Sequence, residues 1–353
     1  MDKIFAGRFR SARVLSGLSL QELADKLNNR VSRQALHKYE TGVVVPDSEM
    51  IALLSETLRV RPDFFFRDAT ITFGPIEFRK LESLPGKEVD RIIEAVKDRL
   101  SRYLELEGLM GISAKFDNVL SDFPQIENGN QAEAAAEELR AKWDLGSGPI
   151  FNVLELLESK HIKVIDIKGM HDGFDGMQTW VNGEIPVIAI DRDNLKSCDR
   201  LRFTALHELC HLLLKLNHLA EKDKERYCHR FAGALLLPKT VLNSELGAQR
   251  NNLSIQELGG IKRHYGISIQ AIVMRAKDLG IITESYRRQF FFYMNQMGWK
   301  KVEPAEYIGE EASGRFEQLL FHALAEEVIS IGKAAALSNE TLSEFREKYS
   351  MRG

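Results

Sequence analysis

Two stretches in the second half of the chain set the tightest constraint on what this sequence can become. They are TALHELCHLLL, from Thr204 to Leu214, and EKDKERYCHRFAGALLL, from Glu221 to Leu237. Each repeats apolar residues at helical spacing and carries two polar side chains four positions apart: His207 and His211 in the first, Glu225 and His229 in the second. Residues four apart on a helix lie one above the other, so each pair points along a single face. Apolar helices of this kind are buried, and buried imidazoles need hydrogen-bonding partners or a metal ion.

A chain of 353 residues is long enough for two to three domains with separate cores. The N-terminus MDKIFAGRFR lacks the continuous apolar segment a signal peptide requires, and longer apolar runs are interrupted by charge. The expectation is a cytoplasmic protein with no membrane partner. Cys198, Cys210 and Cys228 show neither a disulfide framework nor paired zinc-ligand spacing, in keeping with a reducing compartment. The net charge of -3 is unevenly spread: residues 1–67 carry +3 and the remainder -6. A basic head on an acidic body points to two different partners.

Read along the chain, the head predicts short helices. Apolar periodicity runs from Phe5 to Leu15, and Ser19 with Glu22 forms a capping box for a second helix. After the turn NNRV, Ser32 caps a third helix ending at Glu40, and a fourth runs from about Ser48 to Leu58 before the aromatic segment PDFFF, read as core. A charged helical connector is expected from Glu77 to about Leu109, and helices near Gln131 and from Phe151 to Ser159. HIKVIDIK reads as a strand, and MQTWVNGEIPVIAID as a hairpin turning at Asn182-Gly183 whose second strand is buried. From Ser254 onward the pattern is mostly helical. The fold class is therefore mainly α with a small β-sheet.

His207-Glu208-x-x-His211 can place two imidazoles on one zinc ion, while Glu208, about a quarter turn away, can serve as general base toward a water on the metal. A catalytic zinc takes three protein ligands and keeps one open position. Position 217, six past the second histidine, is asparagine, so the third ligand must come from His218, Glu221, Asp223, Glu225 or His229. Glu225 and His229 are the better pair, one able to ligate while the other orients a ligand. Cys210 reads as a packing residue, His218 as a solvated one, and Tyr227 as packing.

The stretches DGFDGM, RFTALHELCHLLL, ERYCHRFAGALLLP and YGISIQAIVMRAKDLGII, within about Ala134 to Leu337, resemble the ImmA/IrrE-type metallopeptidases. The resemblance implies a gluzincin-like zinc site of His207, His211 and Glu225 with Glu208 as base. His229 stands where that family has Asn or Asp, as a supporting group or an alternative ligand, and Cys210 stands at its usual Gly. The resemblance also makes DGFDGM the approach to an edge strand to which an extended substrate could add. The head, through GRFRSARVLSGLSLQELADKL, VSRQALHKYETG and PDFFF, resembles the XRE, or lambda-repressor-like, helix-turn-helix family. There the third helix enters the major groove, which assigns Arg33 and Gln34 to base edges and His37, Lys38 and Arg13 to phosphates. Leu20 replaces that family's phosphate-binding Gln.

The domains expected are 1–68 (helix-turn-helix), 69–130 (helical connector), 131–285 (zinc metallopeptidase) and 286–353 (helical C-terminal region). The implied function is a DNA-binding regulator, dimeric on a double-stranded operator, with a zinc endopeptidase acting on a repressor-type protein or controlling its own operon. The alternative is a non-enzymatic repressor or antitoxin of a toxin-antitoxin or mobile-element module, whose zinc domain binds a partner such as a toxin or senses a ligand.

Overall fold

The computed structural model describes residues 2–67, 71–74 and 84–350. In the head, helices α1 (Asp2–Leu15), α2 (Leu20–Lys26), α3 (Arg33–Glu40) and α4 (Ser48–Leu58) precede a 3₁₀ turn at Pro62–Phe66. Local chemistry explains the boundaries. The Ser19–Glu22 capping box is formed in both directions, and the Ser32 hydroxyl accepts from the Ala35 amide. Between them Asn28 and Asn29 both take positive φ, a conformation asparagine tolerates better than most residues. Phe5, Phe9, Leu23, Leu36, Leu54 and Phe65 close a separate core.

The body begins with α5 (Gly86–Leu109), α6 (Gly129–Lys142) and α7 (Val153–Ser159). The start of the predicted connector, residues 77–83, lies outside the described residues. A three-stranded sheet follows, β1 (Lys163–Ile167), β2 (Gly176–Val181) and β3 (Ile185–Asp191), in the order β1-β3-β2. β3 is central, parallel to β1 and antiparallel to β2. Asn182 and Gly183, both at positive φ, make the predicted turn.

Because β3 lies in the middle and is covered on both faces, its sequence is apolar without alternation. Ile188 and Ile190 join one core with α8 (Cys198–Leu213) and α9 (Glu221–Leu236). Val187 and Ala189 join another, with Ile92, Val96 and Leu100 of α5. The chain continues through α10 (Lys239–Leu246), α11 (Ile255–Tyr265), α12 (Ile269–Asp278) and α13 (Glu284–Gln296). After an irregular stretch, α14 (Arg315–Ala325), α15 (Ile331–Ser338) and α16 (Leu342–Ser350) return to the second core through Leu320, Leu337 and Phe345. The connector and the tail therefore share one layer behind the sheet. Among the described residues no helix is long and apolar enough to cross a membrane.

Candidate functional site

α8 lies on the sheet with α9 packed against it, and both helices are pinned by buried charge. Lys262 of α11 pairs with Asp199 at 3.0 Å, and Arg202, fully buried, meets Glu311 at 3.3 Å. On the far side of α9, Glu133 of α6 takes Arg230 at 3.2 Å and Arg275 at 2.7 Å. These ties fix the rotation of both helices and so the direction of their polar pairs.

The two pairs converge. His207 Nε2 and His211 Nε2 are 3.2 Å apart, and the Glu225 carboxylate places an oxygen 3.3 Å from each. Two donors sharing a tetrahedral zinc at 2.0–2.1 Å are separated by about 3.3–3.4 Å. The two imidazole nitrogens thus have the spacing of donors to one metal ion, with one oxygen of the Glu225 carboxylate at a similar distance from each. Both imidazoles are buried, with side chains 4% and 3% exposed, whereas Glu225 is 32% exposed and marks the open side. Glu208, adjacent to His207 along α8, is buried as well.

The exposed His229 has its ring 4.5 Å from that of His207 and stacked on Phe203 at 5.8 Å. Tyr227 packs as expected, its hydroxyl donating toward the Glu127 carbonyl. His218 stands near Glu127, away from the cluster, and Cys210 is a fully buried packing residue. β2 is an edge strand, but Phe73 bridges to Val181 and the Gly74 amide donates to the Trp180 carbonyl at 2.7 Å. Among the described residues, no strand pairs with its Gly176–Thr179 half on the side away from β3. A cavity of about 420 Å³, between α5, β1 and the C-terminal helices, contains none of the expected site residues.

Sequence reasoning missed three residues. Cys228 has its sulfur, together with nitrogens of His207 and His211, in a group whose members all lie within 4.8 Å of one another. Burial, then hydrogen bonding with Cys210, pushes its thiol above the usual range, and His211 acts in the opposite direction. The available signal was position: Cys228 is three residues past Glu225 and shares its helix face. The other two are Asp191 and Asn194. Buried Asp191 accepts from the Met170 amide, while Asn194 Nδ2 donates to the carbonyls of His171 and Phe174, so both hold the DGFDGM loop in place.

In the head, Ser32 starts α3 so that Arg33, Gln34, His37 and Lys38 are all exposed. Arg13 is placed differently. Its guanidinium is held by Glu40 at 2.6 Å and by the Leu18 carbonyl at 2.6 Å, joining α1 to the end of α3. Four of the five residues expected at DNA thus share an exposed helix, and the fifth sets that helix's position.

Comparison with known families agrees with this division. Residues 9–65 match the model of the Helix-turn-helix family, and residues 157–277 match that of the IrrE N-terminal-like domain, a peptidase family. No curated protein matches the chain. The first match covers the capped helices of the head, and the second spans the sheet, α8, α9 and the convergent histidines. The chain therefore joins an XRE-type helix-turn-helix domain to an ImmA/IrrE-type domain.

Proposed function

We propose that this protein is a DNA-binding transcriptional regulator whose ImmA/IrrE-type domain is a zinc-dependent endopeptidase. The observation that carries the reading is the triangle of His207 Nε2, His211 Nε2 and the Glu225 carboxylate, at 3.2 and 3.3 Å, on two helices locked by buried ion pairs. His207, His211 and Glu225 would hold the ion and leave one position open. Zinc so held supplies Lewis acidity toward water and a peptide carbonyl. Glu208 takes the proton of the attacking water and returns it to the departing amine. His229, against the His207 ring, orients that ligand. An extended protein segment, such as part of a repressor, adds to the Gly176–Thr179 half of β2 by backbone pairing.

The head binds a double-stranded operator as a dimer, with Arg33 and Gln34 at base edges and His37 and Lys38 at phosphates. A head excess of +3 is small, so two half-sites are needed for useful affinity. Glu208→Gln separates catalysis from partner binding. The variant should keep its zinc, measured by metal analysis, and its operator binding, measured by gel shift, yet lose regulation of a reporter operon. A Glu208→Gln protein that regulates normally would overturn the peptidase in favour of a repressor or antitoxin acting by binding alone.

A further inference from the structure

We infer that Cys228 is a fourth protein donor at the metal centre, so that one pair of histidines serves both an open carboxylate set and a closed set containing a thiolate. The inference rests on the reading that His207 and His211 hold a metal.

Three observations carry it. The sulfur of Cys228 and one ring nitrogen each of His207 and His211 lie within 4.8 Å of one another. Two donors sharing zinc at its usual Zn–N and Zn–S lengths are about 3.5 Å apart, a difference within reach of a side-chain rotation. Cys228 is 0% exposed, so it meets the ion from the protein side, while the one-third-exposed Glu225 meets it from the solvent side. It also stands three residues beyond Glu225 on α9, and α8 and α9 are pinned by the Asp199–Lys262 and Glu133–Arg230 pairs.

Ligation breaks the S–H bond and forms a sulfur–metal bond, with the proton released to solvent. Four protein donors leave no open position, which is the hallmark of a structural zinc site, whereas three leave room for water. Cys228 therefore decides whether the centre is open or closed, and it favours softer metals.

Metal affinity alone cannot separate a ligand from a group that orients His211, because loss of an orienting group also costs about 10 to 100-fold. The test is cobalt(II) substitution in the full chain, after chelator treatment, followed by absorption spectroscopy. The wild type should show visible d–d bands together with a near-ultraviolet sulfur-to-cobalt charge-transfer band. Cys228→Ala and Cys228→Ser should keep the visible bands and lose the charge-transfer band, and Cys210→Ala should keep both. Visible bands without charge transfer in the wild type, or charge transfer persisting in both Cys228 variants, would overturn the inference and leave the metal centre standing. No cobalt uptake in the wild type would overturn the metal centre itself, and this inference with it. Circular dichroism identifies a variant that has failed to fold, and the second substitution then supplies the comparison.

Discussion

Glu225 and His229 stand four residues apart on α9 yet are placed differently. Glu225 places an oxygen 3.3 Å from each imidazole nitrogen, while His229 sets its ring against those of His207 and Phe203. Their alanine variants should therefore behave differently. Glu225→Ala removes the solvent-side carboxylate and leaves the two imidazoles with Cys228, so zinc affinity should fall further than in His229→Ala in a chelator competition. His229→Ala should retain zinc with a loss of about 10 to 100-fold in affinity or activity. The reverse order would make His229 the ligand. In the head, Arg33→Ala should cost about 1 to 3 kcal/mol and relax preference at one operator position if Arg33 reads a guanine edge. Gel-shift titration of single-position operator variants checks this, and unchanged preference would remove Arg33 from the readout.

Among the elements, α8 depends most on a distant partner. Arg202, at zero exposure, meets Glu311 of the irregular stretch between α13 and α14, and also bonds the Tyr307 hydroxyl and the Ile150 carbonyl. Glu311 in turn accepts from the Val153 and Leu154 amides at the start of α7. One carboxylate thus ties three elements together. Burial nevertheless raises the Glu311 carboxyl from 4.5 to about 6, outweighing the lowering by Arg202 and the two amides. A carboxyl raised in the folded state binds its proton more tightly there than in the unfolded chain. Its contribution to stability is complete below about pH 4.5 and is lost as pH rises through about 6. The shift corresponds to about 2 kcal/mol. Urea denaturation of the wild type against Glu311→Gln should show their difference changing by about that amount between these limits and flat above them. A pH-independent difference would contradict the assignment.

In the molecule as a whole, the Asp98 carboxylate gathers several of the contacts between head and body. Asp98 of α5 is buried and takes Arg8 of α1 at 2.8 Å, Arg102 at 3.2 Å and Arg67 at 3.8 Å. The Arg8 guanidinium also stacks 3.7 Å above the Phe64 ring, and Arg61 donates to the Glu340 carbonyl in the tail. The helix-turn-helix head is thus docked on the layer that backs the sheet of the ImmA/IrrE-type domain. Removing a carboxylate shared by buried guanidinium groups leaves charge uncompensated, at about 3 to 5 kcal/mol. Asp98→Ala should therefore split head unfolding from body unfolding in calorimetry, since the head has its own core. A single unchanged transition would show that docking does not depend on Asp98.

What the sequence determined by itself is whatever neighbours within about four residues decide. The Ser19–Glu22 capping box, the Ser32 cap, the Asn182-Gly183 turn and the bounds of α4 all follow from local hydrogen bonding and periodicity, and all are present. The four-residue spacings of His207 with His211 and of Glu225 with His229 were legible for the same reason. Meeting across elements was not legible, because it depends on which helix faces pack together and at what rotation. The place of Cys228 on the helix face of Glu225 does not by itself bring it to His211, and no local signal shows that Arg13 turns to Glu40 or that β1 lies parallel to β3. Nor does one show that α5, which reads as a connector, and the last three helices close a single core behind the sheet. Long-range burial decides these placements: the second face of an apolar β3 had to be covered, and α5 with the tail supplied the apolar surface to cover it.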